Sequence, residues 1–237
     1  MESQLDQVGI ILKWLKDGLF PLICQGCGRE GEFLCESCAD INLIERAKSV
    51  CPFCHSEDSE GKTCSECSKQ AFLDGATSLG FYHDKLLQKL IQAWKFEGQP
   101  VAAKVIENWL DSHKLNFLLP PVDWYVTSIP LHSARLQERG FNQAEVIARI
   151  AAMKIASPYL ELLDRPEWTD PQARRSASER QVGDLDGIFA VNQTVPPCVL
   201  ICDDVLTSGA TMDAAARVLK EHGAQVVWGF TLARADH

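Results

Sequence analysis

Positive charge is what this chain has too little of. Of 237 residues, 23 are Lys or Arg and 32 are Asp or Glu, for a net charge of −9 at pH 7. Proteins that hold nucleic acid by simple electrostatics carry a basic excess, so the chain as a whole argues against that class. Residues 1–6 lack a basic n-region, and no signal peptide is read there. No uninterrupted apolar stretch approaches the ~18 residues of a membrane span. The expected compartment is therefore cytoplasmic, without membrane insertion. A P-loop is missing too: Gly61-Lys62-Thr63 has Ser56 where the loop's first glycine must stand, and it lies inside a cysteine cluster. An ATPase reading of the later apolar-Asp-Asp run falls with it. Low-complexity tracts are absent. What remains is 46% hydrophobic and 23% charged, normal for a globular protein of one large or two smaller domains.

Cysteine, by contrast, is concentrated. Eight of the ten cysteines form four Cys-x2-Cys knuckles: Cys24/Cys27, Cys35/Cys38, Cys51/Cys54 and Cys64/Cys67. Each knuckle can place two thiolates on one tetrahedral ion, and two knuckles close a four-thiolate site. The spacing predicts two structural zinc ions (Zn2+). Sequential pairing puts Cys24, Cys27, Cys35 and Cys38 on one ion and Cys51, Cys54, Cys64 and Cys67 on the other; a cross-braced arrangement is the alternative. Disulfides fit poorly with a cytoplasmic chain, and iron–sulfur ligation is the weaker metal rival. Closed four-sulfur sites stabilise a fold rather than catalyse. The remaining pair, Cys198 and Cys202, shares one face of a strand and reads as core.

The most informative stretch is 198–212. Val199, Leu200 and Ile201 form a buried strand that ends in two adjacent acids, Asp203 and Asp204. A small hydroxyl-rich turn follows, Thr207-Ser208-Gly209-Ala210-Thr211, and then a helical pattern. A helix start offers unpaired N–H groups and a positive dipole end, which suit phosphate. Acids at the carboxyl end of a parallel strand lie where open α/β sheets bind ligands. Together they suit a ligand with both a phosphate and sugar hydroxyls. Charge distribution agrees. Residues 130–182 hold eight Arg/Lys against seven Asp/Glu, and seven of the eight cations are Arg, whose rigid fork of donors suits phosphate.

Periodicity supplies the frame. An amphipathic helix is read over 3–16, and the cysteine module runs to about residue 70. Asp74-Gly75 marks a boundary, giving domains 1–70 and 74–237. Strands are expected at 76–82, 124–130, 159–163, 188–191, 198–204 and 225–233. Helices are expected at 85–96, 101–113, from about 143 to 156, and at 211–222. Asn142 is a good N-cap with Glu145 three residues on, and Phe141 with Val146 could form a staple. Residues 130–140 read as a loop bearing Arg135 and Arg139. Residues 164–187 read as a polar lid bearing Arg165, Arg174, Arg175 and Arg180.

The 198–212 stretch resembles the ligand motif of type I phosphoribosyltransferases, which bind phosphoribosyl pyrophosphate (PRPP). The whole chain resembles the ComF family, which joins a zinc ribbon to a phosphoribosyltransferase-like domain. The resemblance is carried by the knuckles after Phe20-Pro21, by 90–96 (Leu-Ile-Gln-Ala-Trp-Lys-Phe), by Ile129-Pro130-Leu131-His132, by Arg139-Gly140-Phe141-Asn142-Gln143, by Gln172 and by 199–211. Gln92 and Asp184 depart from the family's more frequent His and Asn. The resemblance implies an α/β fold with a parallel sheet flanked by helices, behind a small N-terminal double zinc ribbon. It implies that Asp203 and Asp204 hold the ribose hydroxyls, that Thr207, Ser208, Gly209, Ala210 and Thr211 wrap the 5-phosphate, and that Mg2+ accompanies PRPP. It places Arg135 and Arg139 at pyrophosphate, with one of Arg174, Arg175 or Arg180 arriving from the lid; Lys95 and His132 are lesser candidates. Three functions remain open: a phosphoribosyltransferase of unknown acceptor, a non-enzymatic PRPP or nucleotide sensor, and a single-stranded DNA-handling factor linked to natural transformation and the DNA-uptake machinery.

Overall fold

A computed structural model describes residues 23–40, 44–97, 100–112, 115, 118–166 and 187–235. Its contacts divide the chain into two compact units, Met1–Leu43 and Ile44–His237. The expected helix at 3–16 lies outside the described residues.

The smaller unit is built on its first cysteine quartet. Cys24 N–H donates to the Arg29 carbonyl and Gln25 N–H to the Phe33 carbonyl, folding the segment back on itself. Ile23 and Glu30 form an antiparallel bridge. Phe33, Cys24 and Cys35 are buried.

The larger unit is a mixed α/β structure around a parallel sheet. Its elements are β1 (Gly75–Phe81), α1 (Lys85–Glu97), α2 (Pro100–Ser112), β2 (Tyr125–Ser128), α3 (Ser133–Arg139), α4 (Gln143–Lys154), β3 (Leu163–Asp164), β4 (Ala190–Val191), β5 (Cys198–Leu206), α5 (Ala210–Glu221) and β6 (Val226–Arg234). The four-stranded sheet runs β1-β6-β5-β2, and every neighbouring pair is parallel. β5 and β6 are near-continuous apolar runs, as central parallel strands covered on both faces must be; Val199, Leu200, Ile201, Phe230 and Leu232 are fully buried. Helix α4 packs across β5 and β2, α5 packs on β6, and α2 packs on both α1 and α4.

Three expectations differ from what the structure shows. The boundary between units falls at Leu43/Ile44, whereas composition shifts near 70–74. The second cysteine segment therefore belongs to the larger unit. It is stitched to the entry of β1: Lys62 bridges Gly75, Thr63 N–H donates to the Asp74 carbonyl, and Ala76 N–H donates to the Gly61 carbonyl. Second, 159–163 is not a full strand. Tyr159 makes an isolated parallel bridge to Val126, and Leu163–Asp164 pairs with Ala190–Val191 in a separate antiparallel hairpin. Third, most of the 130–140 loop is the helix α3. His132 Nδ1 accepts from Ala134 N–H to cap its start, and Gly140 closes it at φ 77°. None of its residues is buried, so it carries no apolar periodicity from which a helix could be read.

Candidate functional site

The two cysteine quartets assemble sequentially. The sulfurs of Cys24, Cys27, Cys35 and Cys38 all lie within 4.8 Å of one another, as do those of Cys51, Cys54, Cys64 and Cys67. Sulfur–sulfur distances include Cys24–Cys35 at 3.7 Å, Cys27–Cys35 at 3.8 Å and Cys54–Cys64 at 3.5 Å. A tetrahedron with metal–sulfur bonds of about 2.3 Å has edges of about 3.8 Å, whereas a disulfide needs about 2.05 Å. The donor set and spacing fit zinc. Electrostatics points the same way. Burial opposes the Cys24 thiolate, but N–H groups of Cys35, Cys27 and Gly26 bring that thiol down to about 6, while hydrogen bonding to Cys35 first, then burial, pushes Cys38 up to about 12. The second quartet repeats the split. The Cys67 N–H brings Cys64 down to about 6, and burial, then the Cys54 and Cys64 thiols, push Cys67 up to about 12. Four sulfurs this close can all ionise only around a cation.

At the carboxyl ends of β2 and β5 lies a cleft of about 190 Å³. Strand β5 delivers Asp203 and Asp204 to it. The loop after β2 supplies Ile129, Pro130 and Leu131. Helix α3 supplies Arg135 and Arg139, α4 supplies Gln143 and Ala144 behind Asn142, and α5 supplies Thr211. Asn142 fixes this wall. Its Oδ1 accepts from Ala144 N–H at 3.1 Å as an N-cap, and its Nδ2 donates to the Ile129 carbonyl at 2.9 Å. Glu145 does not complete the capping box; it accepts from Arg149 Nε at 2.8 Å instead. Phe141 rests against the Trp94 ring, with centroids 6.1 Å apart. Arg139 Nη1 donates to Gln143 Oε1 at 3.3 Å.

Two lining residues carry more weight than the sequence suggested. Lys95, from α1, reaches Asp204 Oδ2 with its Nζ at 2.7 Å, and both side chains are mostly buried. Arg165, just past β3, sits half-buried with its guanidinium 5.9 Å from the centre of the Phe189 ring. Burial, then the positive charge of Arg135, holds the Arg165 pKa below the ordinary arginine value against the pull of Asp203. Asp203 is the counterpart. Burial first, then the neighbouring Asp204 carboxylate, raises its pKa to about 7, opposed by the Asp204 N–H, Lys95 and Arg165. That N–H donates to Asp203 Oδ1 at 2.8 Å. Lys95, Arg135, Arg139 and Arg165 thus face two carboxylates, in a chain whose net charge is −9.

The hydroxyl-rich turn adjoins this cleft. Thr211 lines it; Thr207, Ser208, Gly209 and Ala210 do not. Gly209, at φ 78°, is the N-cap of α5 and provides no side-chain cap, so early N–H groups of the helix are left for another acceptor. Ser208 Oγ accepts from Ala210 N–H at 3.4 Å. His132 serves as the cap of α3 and is not among the lining residues. Arg174, Arg175, Arg180 and Gln172 lie outside the described residues, as does Asp184. Cys202 is fully buried, and burial pushes its thiol up, as befits core. Among the described residues no helix is long and apolar enough to cross a membrane.

Fold and cleft together define a phosphoribosyltransferase-like α/β protein with two N-terminal four-cysteine clusters. A family model described as a phosphoribosyl transferase domain matches residues 198–236, the stretch from the acid-bearing strand to the end of the sheet. Likeness over nearly the full length is narrower in kind. Competence protein ComFC of Streptococcus pneumoniae is 27% identical over 205 residues, covering 85% of this chain and 87% of that protein. Competence protein ComFC of Bacillus subtilis is 26% identical over 220 residues, covering 86% and 85%. Competence protein F of Haemophilus influenzae is 28% identical over 217 residues, covering 85% and 90%. The chain is ComF-like along its length.

Proposed function

We propose that the cleft binds PRPP and that the protein serves DNA uptake in natural transformation. The carrying observation is the cleft itself: four cations and an acid pair converge beside a glycine-opened helix start. A molecule with a diphosphate at one end, a ribose diol in the middle and a 5-phosphate at the other matches that order of groups. In this reading the N–H groups of 207–211 and the Thr207, Ser208 and Thr211 hydroxyls hold the 5-phosphate. Asp203 and Asp204 face the ribose hydroxyls. Arg135, Arg139 and Arg165 hold pyrophosphate, with Arg180 as a further candidate from the lid. Mg2+ would come with the diphosphate, keeping most of its waters; Asp203 and Asp204 are the carboxylates lining the cleft that could face it.

Lys95 has a defined part in this scheme. It neutralises Asp204 at 2.7 Å, so a polyanionic ligand meets a cleft of net positive charge. Should the ligand's C1–O bond break, negative charge grows on pyrophosphate, and fixed guanidinium donors would stabilise it more than the ground state.

The DNA-uptake role comes from the names of the competence relatives. It does not come from the cleft, whose lining among the described residues contains no aromatic side chain on which bases would stack. One titration tests the ligand. The wild type should bind PRPP with Mg2+ in calorimetry, and the double variant D203N/D204N should not. Absence of binding by the wild type would remove the PRPP reading. Pyrophosphate release on screening bases and amines would assign a transferase; binding without release would assign a sensor. A salt-sensitive mobility shift of labelled single-stranded DNA would move the reading toward direct DNA handling.

A further inference from the structure

The second cysteine quartet and the hydroxyl-rich turn lie in the same compact unit, and they meet at Phe53 and Gly209. Phe53 occupies the tip of the Cys51–Cys54 knuckle. That knuckle is a tight turn, with His55 N–H donating to the Cys51 carbonyl at 3.2 Å and Cys51 N–H to the Ser56 carbonyl at 3.0 Å. The Phe53 ring packs against the apolar cluster that contains Leu73, Leu206 and Met212. It also closes onto Gly209. A Cβ placed there would lie 3.0 Å from Phe53 Cε1, 3.2 Å from Cδ1 and 3.6 Å from the Pro52 carbonyl oxygen. Glycine is thus required twice at 209, for its φ of 78° and for the ring above it. A second tie sits beside the first: His55 Nδ1 lies 3.1 Å from Nη2 of the buried Arg234, whose register partner is Leu206 at the end of β5.

We infer that Phe53 is a positioning residue for the phosphate loop, and that an ion held by Cys51, Cys54, Cys64 and Cys67 sets the loop's geometry through it. The inference rests on the reading of 207–211 as the 5-phosphate site. An ion that ties Cys51 to Cys54 fixes the knuckle; the knuckle fixes the ring; the ring fixes Gly209 and the N–H groups that follow it. The second quartet then supports the ligand site, in addition to holding its own segment together.

Phe53→Ala and Phe53→Leu test this, with binding of ribose 5-phosphate and of inorganic pyrophosphate measured separately. Metal content and amide hydrogen exchange over 207–211 are measured alongside. Phe53→Ala should keep about two ions per chain, bind ribose 5-phosphate about tenfold more weakly, equivalent to about 1.4 kcal/mol, and leave pyrophosphate affinity unchanged. Exchange over 207–211 should accelerate, and Phe53→Leu should recover most of the loss. Unchanged exchange in Phe53→Ala would overturn the inference, as would equal weakening of both ligands. If the wild type binds no ribose 5-phosphate, the reading of the loop fails, and the exchange data still decide whether Phe53 positions it.

Discussion

Asp203 offers the sharpest test, because its two roles pull in opposite directions. Its pKa is raised from 3.8 to about 7, by burial first and by Asp204 second. Below about pH 4 the carboxyl is protonated in both folded and unfolded chains, and the shift contributes nothing. Between about 4 and 7 the folded chain binds more protons than the unfolded one, so stability falls as pH rises. Above 7 the group is ionised in both states, and the folded state carries the full cost. Three pH units correspond to an upper bound of about 4 kcal/mol. The carboxylate borders a water-accessible cleft, so about 1–3 kcal/mol is the expected size. Asp203→Asn removes that cost and keeps an oxygen to accept the Asp204 N–H, which the wild type holds at 2.8 Å. Without ligand, the variant should therefore melt higher than the wild type at pH 8, by roughly 2–12 °C at about 2–4 °C per kcal/mol. The difference should narrow to about half its full size by pH 5.5 and close only near pH 4. PRPP binding should be lost in the same variant. Thermal melts from pH 5.5 to 8, with and without ligand, provide the assay. A melting difference that ignores pH, or a variant less stable at pH 8, would refute the argument.

Other outcomes follow from the same geometry. Lys95→Met removes the cation 2.7 Å from Asp204; PRPP affinity should fall about tenfold or more, and its rise with pH should move to higher pH, measurable by calorimetry between pH 6 and 9. Arg165→Ala relieves the repulsion from Arg135. It should leave the ligand-free melting temperature unchanged or slightly raised while weakening inorganic pyrophosphate about ten- to a hundredfold. Gly209→Ala forces a Cβ to 3.0 Å from Phe53 at φ 78°; strain of about 1–2 kcal/mol plus overpacking of about 1–3 kcal/mol should lower the melting temperature by several degrees. Cys64→Ser should reduce metal content to about one ion per chain and destabilise the larger unit, in which that quartet lies.

The elements legible in the sequence were those whose chemistry is local. Four knuckles mark two four-cysteine groups able to hold metal because the cysteines of each knuckle are three residues apart, and the quartets form as sequential pairing predicts. The acid pair stood out as a candidate ligand site because a buried strand, two acids and a helix start are consecutive; the expected 198–204 strand is observed as Cys198–Leu206. Asn142 was legible for the same reason. Lys95 and Arg165 became central only through packing. Lys95 lies more than a hundred residues before its partner Asp204, and only the seating of α1 brings them to 2.7 Å. Arg165 was one arginine among several in a polar stretch, and its place is set by the β3–β4 hairpin and Phe189. The domain boundary was read from composition, which changes where the cysteines end. Contacts instead place the second quartet with the sheet, because its backbone hydrogen bonds go to the entry of β1.

Net charge shows how far a global number can mislead about a site. A chain at −9 is a poor general binder of polyanions. Yet the cleft gathers four cations, and burial first, then the charge of Arg135, lowers the pKa of Arg165. That local field reaches one small anion and is screened within about 10 Å in ordinary salt. A nucleic acid spans many times that distance and would meet the acidic remainder of the surface. If the cleft takes a compact diphosphate, as proposed, the same arrangement selects against a long polyphosphate backbone, and a DNA-related role would run through a small ligand or a protein partner rather than through this cleft.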